Sequence, residues 1–183
     1  MTMSSEAKYI SQDPETATCG AFALAYYMWE NYGHEADPDT DRKIVQLIYA
    51  DIKFDNNDYS SPKKMIAYLT QNGNTADLRA NENLKERREL YNELIDGCAV
   101  DFRSGDFIND LENGQYAIII CRTAKESHVL HYILVRKEEN GYFTVIDPNN
   151  GIKQNDQTIK AGECVGNSRW IYLGAALVIE KIK

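Results

Sequence analysis

The hydrophobic pattern of this chain changes character near Gly114, and this change restricts the folds open to it. Before Gly114, apolar residues recur at helical spacing between glycine, asparagine and proline stop signals; after it, they form continuous or alternating runs typical of strands. Helices first and antiparallel strands second predict an α+β protein, with a helical half over about residues 1–113 and a sheet half over about 114–183. The 183 residues contain no repeat, low-complexity stretch or linker, so we expect a single domain.

Start and stop signals divide the helical half into segments. The nearly continuous apolar run from Cys19 predicts a central, buried helix that reaches Asn31 and ends at Tyr32-Gly33, with its aromatic residues in the core rather than in a cleft: Tyr26, Tyr27, Trp29 and Tyr32. Similar signals predict a helix from Asp37-Pro38 whose inward residues are Ile44, Leu47, Ile48 and Ile52. A further helix is predicted from Ser60-Ser61-Pro62 to Asn72-Gly73, and its inward residues are Met65, Ile66 and Leu69. We also expect an extended piece over 74–80, a solvated helix over 82–96 and a short helix from Ser104 to Asn113.

The sheet half is predicted to contain antiparallel strands. The continuous apolar run from Tyr116 to Cys121 is typical of a central strand. Residues 131–135 alternate, Asn140-Gly141 marks a hairpin turn, and residues 142–146 form the partner strand. A last strand or strand pair is expected over residues 170–179.

Composition excludes several classes of function. The net charge of −8 argues against nucleic-acid or anionic-membrane binding, because both need basic surfaces. The polar N-terminus has no signal-peptide pattern and no apolar run approaches a membrane span, so we expect a cytoplasmic protein without membrane insertion, with signal-independent export left open. No metal, nucleotide or flavin motif appears, so no cofactor is expected. The oligomeric state stays open.

The four cysteines are far apart and form no CxxC pair, which argues against a zinc site or a disulfide framework. Cys98 and Cys121 have apolar neighbours and are expected to be inert core thiols, whereas Cys164 lies in a glycine-bearing loop. Cys19 is the cysteine at a helix start, where exposed N–H groups and the helix dipole favour a reactive thiolate. Gly20 would let a substrate backbone approach. Taken alone, Cys19 could equally be a buried structural residue.

Histidine is the natural base for a thiol nucleophile near neutral pH, and the chain has three. His34 follows the glycine stop of the first helix and is expected in a solvated loop. His131 begins a strand that would hold its ring rigidly, whereas His128 belongs to the preceding loop. We therefore prefer His131 as the base and keep His128 as the alternative.

Asp147 is the candidate for a third role, beside Cys19 as nucleophile and His131 as base. The hairpin at Asn140-Gly141 brings His131 near the far end of the partner strand, where Asp147 could orient the imidazole. The alternative is that Asp147-Pro148 merely starts a turn. Gln12 could donate its side-chain amide, together with the Cys19 backbone N–H, to a developing oxyanion; it could also be an ordinary surface glutamine.

With these residues the chain resembles the papain-like cysteine peptidases, and within them the C39-like branch that includes bacteriocin-leader-processing peptidases. The resemblance covers about a third of the chain, leaves residues 34–110 without a counterpart, and is carried by Gln12, Cys19-Gly20-Ala21, the run from Gly114 to Ile120, the run from His131 to Val135, and Asp147-Pro148. It implies a papain-like fold, with the nucleophile at a helix N-terminus packed on an antiparallel sheet. It also implies the roles of nucleophile for Cys19, base for His131, orienting acid for Asp147 and oxyanion donor for Gln12.

Two positions depart from the pattern of that branch. Thr18 stands where aspartate is frequent, and Gln12 lies one residue further from Cys19 than usual. The run Asn167-Ser168-Arg169-Trp170 is similar to the Asn-Ser-Trp of plant papains, but it lies so far beyond His131 that Asp147 fits the orienting role better.

The resemblance implies a cysteine hydrolase acting on a protein or peptide, most simply a peptidase. Effector-type glutamine deamidases and transglutaminase-like enzymes use the same residue order on a side-chain amide, so they remain an alternative. A catalytically silent binding module on the same scaffold is the third possibility. The acidic surface weakly favours basic or neutral polypeptides as substrates.

Overall fold

The computed structural model describes residues 9–14, 16–35, 37–87, 92, 97–123 and 129–180. Within this part of the chain the helices are α1 (Cys19–Tyr32), α2 (Pro38–Ile52) and α3 (Pro62–Gln71), with 3₁₀ turns at Glu82–Glu86 and Phe107–Asp110. The strands are β1 (Thr75–Asn81), β2 (Val100–Arg103), β3 (Tyr116–Thr123), β4 (Leu130–Lys137), β5 (Phe143–Ile146), β6 (Lys153–Gln157) and β7 (Trp170–Glu180).

The strands form one sheet in the order β2-β1-β7-β3-β4-β5-β6. The β1–β2 pair is parallel and the other neighbours are antiparallel. The α+β prediction is confirmed, with α1 packed on β4 of the antiparallel sheet. The helical half also supplies β1 and β2, so the sheet draws on both halves of the chain.

The two faces of the sheet each cover an apolar cluster, because side chains alternate along the strands. On the helix side, Ile118 and Ile120 of β3 pack with α1, α2 and α3. On the opposite side, Ile119 and Cys121 pack with Phe107 and with residues that follow β6. This double burial explains why the β3 sequence is continuously apolar rather than alternating.

Helix α1 is central and buried as predicted, since ten of its 14 residues are buried. Tyr26, Tyr27 and Trp29 belong to the core. The core prediction was wrong for Tyr32, which is 61% exposed because it lies at the last residue of the helix.

Helix α2 begins as predicted, with the Asp37 side chain accepting from the Asp39 N–H and proline following it. The inward stripe was only partly right. Ile48 and Ile52 are buried with Val45, whereas Ile44 is 36% and Leu47 70% exposed. The buried face is rotated because Asp41, which binds His34, lies on it.

Helix α3 matches its prediction: the Ser61 side chain accepts from the Lys64 N–H, proline occupies the first turn, and Met65 and Leu69 are buried. The partly buried Ile66 packs against the same cluster. The extended piece over 74–80 is β1.

Two predicted helices differ from the structure. The segment over 82–96 contains the 3₁₀ turn Glu82–Glu86, while residues 88–91 and 93–96 lie outside the described part. The helix expected from Ser104 to Asn113 was too long, since it is a 3₁₀ turn over Phe107–Asp110 that follows Gly105 with φ of 72°. The hairpin of β4 and β5 and the single strand β7 agree with prediction. Within the described residues, no helix combines the length and apolar character that crossing a bilayer requires.

Candidate active site

Cys19 is the first residue of α1 and lies at the floor of a cleft of about 490 Å³. The cleft separates the segment before α1 from the start of the β4 and β7 strands. Its walls are formed by Gln12, Pro14, Thr16, Ala17, Tyr59, Val129, Leu130, His131, Asn149, Arg169 and Trp170. Cys19 is only 3% exposed and is among the residues that line this cleft.

The helix start gives Cys19 a favourable electrostatic setting. The first N–H groups of a helix have no intrahelical partner and carry its positive dipole end. The first turn of α1 has no acidic side chain to oppose this field. The Cys19 side chain therefore lies at the positive end of the α1 dipole.

Gly20 has a different role from the one expected. A Cβ at this position would collide with the Ser60 side chain and lie 3.3 Å from Met65 Sδ. Gly20 is buried against these residues, so it allows close packing of α1 rather than the approach of a substrate.

His131 stands near the start of β4, opposite Cys121 of β3. Its Nε2 lies 2.7 Å from Asp147 Oδ1, and the ring lines the same cleft as Cys19. Burial alone would lower the pKa of His131, but the hydrogen bonds and negative charges of Asp147 and Cys19 raise it to about 9. The ring is therefore held in its protonated form near neutral pH.

Asp147 serves the turn and the histidine together, so the two alternatives do not exclude each other. Its backbone carbonyl accepts from the Gly151 N–H at 2.8 Å, and its Oδ1 accepts from the Asn149 N–H at 2.9 Å. The same Oδ1 meets His131. The turn thus fixes the carboxylate that faces the imidazole.

Gln12 enters the site because the segment before α1 is pinned to this turn. The backbone N–H of Gln12 donates to the Pro148 carbonyl, and that of Tyr9 to the Gly151 carbonyl, both at 2.8 Å. Gly151 has φ of 65°, and a Cβ there would collide with the Tyr9 carbonyl. The Gln12 side chain donates from Nε2 to Asn149 Oδ1 at 2.6 Å.

Trp170 is a residue of the site that the sequence patterns did not predict. Its ring stacks on His131 with centroids 4.0 Å apart and an angle of 17° between the planes. It belongs to the run 167–170, which was given no role because it lies far beyond His131 along the chain. Trp170 begins β7, β7 pairs with β3, and β3 pairs with β4, so Trp170 lies near the start of β4. The sequence signal that could have indicated Trp170 is an aromatic residue at the start of the last strand. Arg169 places its guanidinium 5.1 Å from the Trp170 ring centroid.

The other cysteines and His34 do not line the cleft. Cys121 is fully buried, and burial raises the pKa of its thiol, as expected of an inert cysteine. Cys98 is half-buried and packs against the helix-side apolar cluster, and Cys164 is exposed. His34 is not solvated as expected, because its Nε2 lies 2.8 Å from Asp41 and its ring stacks on Trp29. His128 lies outside the described residues.

The described residues include no group of three or more histidine, cysteine or carboxylate side chains arranged to hold a metal ion.

Comparison with protein-family models gives no match, and a search of curated proteins gives none either. Among solved structures, the chain is similar to the peptidase domain of Streptococcus ComA, a bi-functional ABC transporter involved in a quorum-sensing pathway. The similarity covers 94% of this chain and 96% of that domain, at 14% sequence identity and a TM-score of 0.48.

Proposed function

We propose that this protein is a papain-like cysteine peptidase, with Cys19 as nucleophile, His131 as acid and base, Asp147 as the residue that orients His131, and Gln12 as oxyanion donor. One observation carries the proposal. Cys19 and His131 line the same open cleft, Cys19 is the first residue of a helix, and His131 lies 2.7 Å from Asp147 Oδ1.

The resting site would hold an ion pair. The raised pKa of His131 keeps its ring protonated near neutral pH, and a protonated ring stabilises the Cys19 thiolate beside it. The thiolate attacks the carbonyl carbon of a peptide bond, which forms a C–S bond and places negative charge on the carbonyl oxygen. The Cys19 backbone N–H and the Gln12 amide face that charge.

Breakdown of this intermediate cleaves the C–N bond, and His131 gives its proton to the leaving amine. The neutral ring then removes a proton from water, which attacks the acyl-thioester. Cleavage of the C–S bond restores the thiolate with a protonated His131 and releases a carboxylic acid, which gives its proton to the solvent. The roles of His131 as acid and base depend on Asp147 holding its tautomer and orientation.

The test uses reduced, unfolded proteins of known sequence as substrates and mass spectrometry as readout. A peptidase creates new chain termini. A glutamine deamidase leaves chains intact with a gain of about one dalton at a glutamine, and a transglutaminase releases ammonia while joining an amine, since both act through the same thioester. Either side-chain result would replace the peptidase proposal with the alternative substrate bond.

The matched control is a pair of cysteine variants. Cys19→Ala should lose all processing, whereas Cys164→Ala, which removes an exposed thiol, should retain it. Iodoacetamide labelling of the folded protein adds an independent readout. If Cys19 reacts no faster than Cys98 or Cys164 and no substrate changes, the protein is a binding module and the proposal is wrong.

A further inference from the structure

The Gln12 amide is held in an orientation that leaves one of its polar atoms unsatisfied. Its Nε2 donates to Asn149 Oδ1 at 2.6 Å, whereas its Oε1 is buried and finds no hydrogen-bond partner among the described residues. A buried acceptor without a donor costs about 1–3 kcal/mol. This cost favours rotation of the amide, and the bond to Asn149 opposes that rotation.

The orientation matters because the two ends of an amide have opposite electrostatic character. The Nε2 group carries two protons, so one can bind Asn149 while the second remains for another acceptor. A rotated amide would bring Oε1 toward the cleft instead, and an oxygen lone pair facing a developing oxyanion is repulsive. Apart from Asn149, no described residue holds the Gln12 amide in the orientation in which Nε2, and not Oε1, faces the cleft.

We propose that Asn149 is a positioning residue that acts through Gln12: its Oδ1 holds one Nε2 proton, so the other faces the oxyanion formed at Cys19. The inference rests on the proposed function and extends it to a residue that does not touch the reacting atoms. Asn149 lines the same cleft as Gln12 and Cys19.

The backbone of Asn149 shows why this position is suited to the task. Its N–H donates to Asp147 Oδ1 at 2.9 Å, and the neighbouring Pro148 carbonyl accepts the Gln12 N–H at 2.8 Å. One turn thereby sets the carboxylate that orients His131 and the amide that faces the oxyanion. Side-chain substitutions at Asn149 leave both of these backbone bonds in place.

The test measures acylation of Cys19 by 4-nitrophenyl acetate. The thiolate displaces 4-nitrophenolate, whose release is recorded as a burst, and water then hydrolyses the acetyl-thioester. Asn149→Ala should slow the burst about 10- to 100-fold, which is less than the roughly 10²- to 10³-fold cost of removing an oxyanion donor, because Gln12 itself remains. Asn149→Asp keeps an acceptor at this position and should retain most of the burst rate.

Two measurements separate positioning from a general structural effect. Alkylation by iodoacetamide attacks a saturated carbon and forms no oxyanion, so its rate in Asn149→Ala should equal that of the unsubstituted protein across the pH profile. In a Gln12→Ala background, Asn149→Ala should cause no more than about a twofold further loss, because the residue acts through the missing amide. Thermal unfolding of each variant checks that it is folded.

The outcomes are decisive in both directions. The inference is overturned if Asn149→Ala keeps the full burst rate, if alkylation slows in parallel, or if the loss persists undiminished in Gln12→Ala. Failure of the proposed function looks different: Cys19 of the unsubstituted protein would then be alkylated but never acylated, and the inference would fall with it.

Discussion

Two histidines, one buried and one half-buried, lie in nearly matching surroundings beyond opposite ends of α1. His131 meets Asp147 at 2.7 Å and stacks on Trp170 at 4.0 Å, while His34 meets Asp41 at 2.8 Å and stacks on Trp29 at 4.4 Å. The difference lies in the other neighbour of each ring. Cys19 raises the pKa of His131, whereas the His34 ring packs edge-on against Tyr9.

A histidine, a carboxylate and a tryptophan in contact therefore occur twice in the described part of the chain. In the proposed function, a thiol at a helix start makes the His131 unit a proton donor next to a nucleophile. The His131 unit lines a cleft. The following predictions compare the two units, from the largest expected effect to the smallest.

Removing the Cys19 thiol should abolish the reactivity that distinguishes the His131 unit from the His34 unit. Cys19→Ala should lower acylation by about 10⁴-fold or more, because the attacking atom is gone. The free energy of unfolding, measured by urea titration, should fall by less than about 1.5 kcal/mol, since alanine fills most of the same space. A large loss of stability with little loss of acylation would instead identify Cys19 as a structural residue.

Neutralising each carboxylate should separate catalysis from stability. Asp147→Asn should reduce acylation by about 10²- to 10⁴-fold, because the amide no longer fixes the charged His131. Asp41→Asn should leave acylation unchanged and lower the free energy of unfolding by about 1–3 kcal/mol, since a buried pair loses its charge-assisted bond. Equal activity losses in both variants would show that the two units are not distinct.

The pH dependence of stability and of activity should reflect the titration of His131. Because hydrogen bonds and charges raise the pKa of His131 from 6.5 to about 9, its imidazolium contribution to stability is complete below pH 6.5 and is lost as pH rises through about 9. Cleavage of a peptide bond should decline over the same alkaline limb, as the ring loses the proton that the leaving amine needs. Asp147→Asn should move this limb to lower pH, and Asp41→Asn should not; a limb that stays in place in Asp147→Asn would contradict the assignment.

The tryptophans should give the smallest contrast. Trp170→Phe keeps an aromatic surface on His131 but shortens it, so acylation should fall by about 3- to 10-fold through looser placement of the ring. Trp29→Phe should leave acylation unchanged and lower the unfolding midpoint by a few degrees, as expected of a smaller core side chain. Burst kinetics and thermal unfolding of the two variants test both halves of this statement.

The elements that the sequence predicted well are those set by local pattern. The α1 helix, the capped start of α3 and the β4–β5 hairpin each depend on residues a few positions apart. The α2 face was misjudged because Asp41, a charged residue, is buried by its contact with His34. Periodicity of apolar residues contains no information about such a pair.

The site was predictable where chemistry restricts residue type and unpredictable where topology decides. Cys19, His131, Asp147 and Gln12 could be proposed because few side chains can perform those roles. Trp170 could not, because its contact with His131 depends on β7 lying beside β3 in the sheet order. Trp170 and His131 are far apart along the chain, and the antiparallel pairing of β7, β3 and β4 brings them together.

The position of β7 also determines when the site can first exist. This strand is late in the sequence but central in the sheet, between β1 of the helical half and β3 of the sheet half. A nascent chain leaving the ribosome therefore contains Cys19 long before it can align the two halves, since pairing at such separation is slow and comes late. With Trp170 as the first residue of β7, the Cys19 thiol and the His131 imidazole meet in a completed cleft only after this strand has been made.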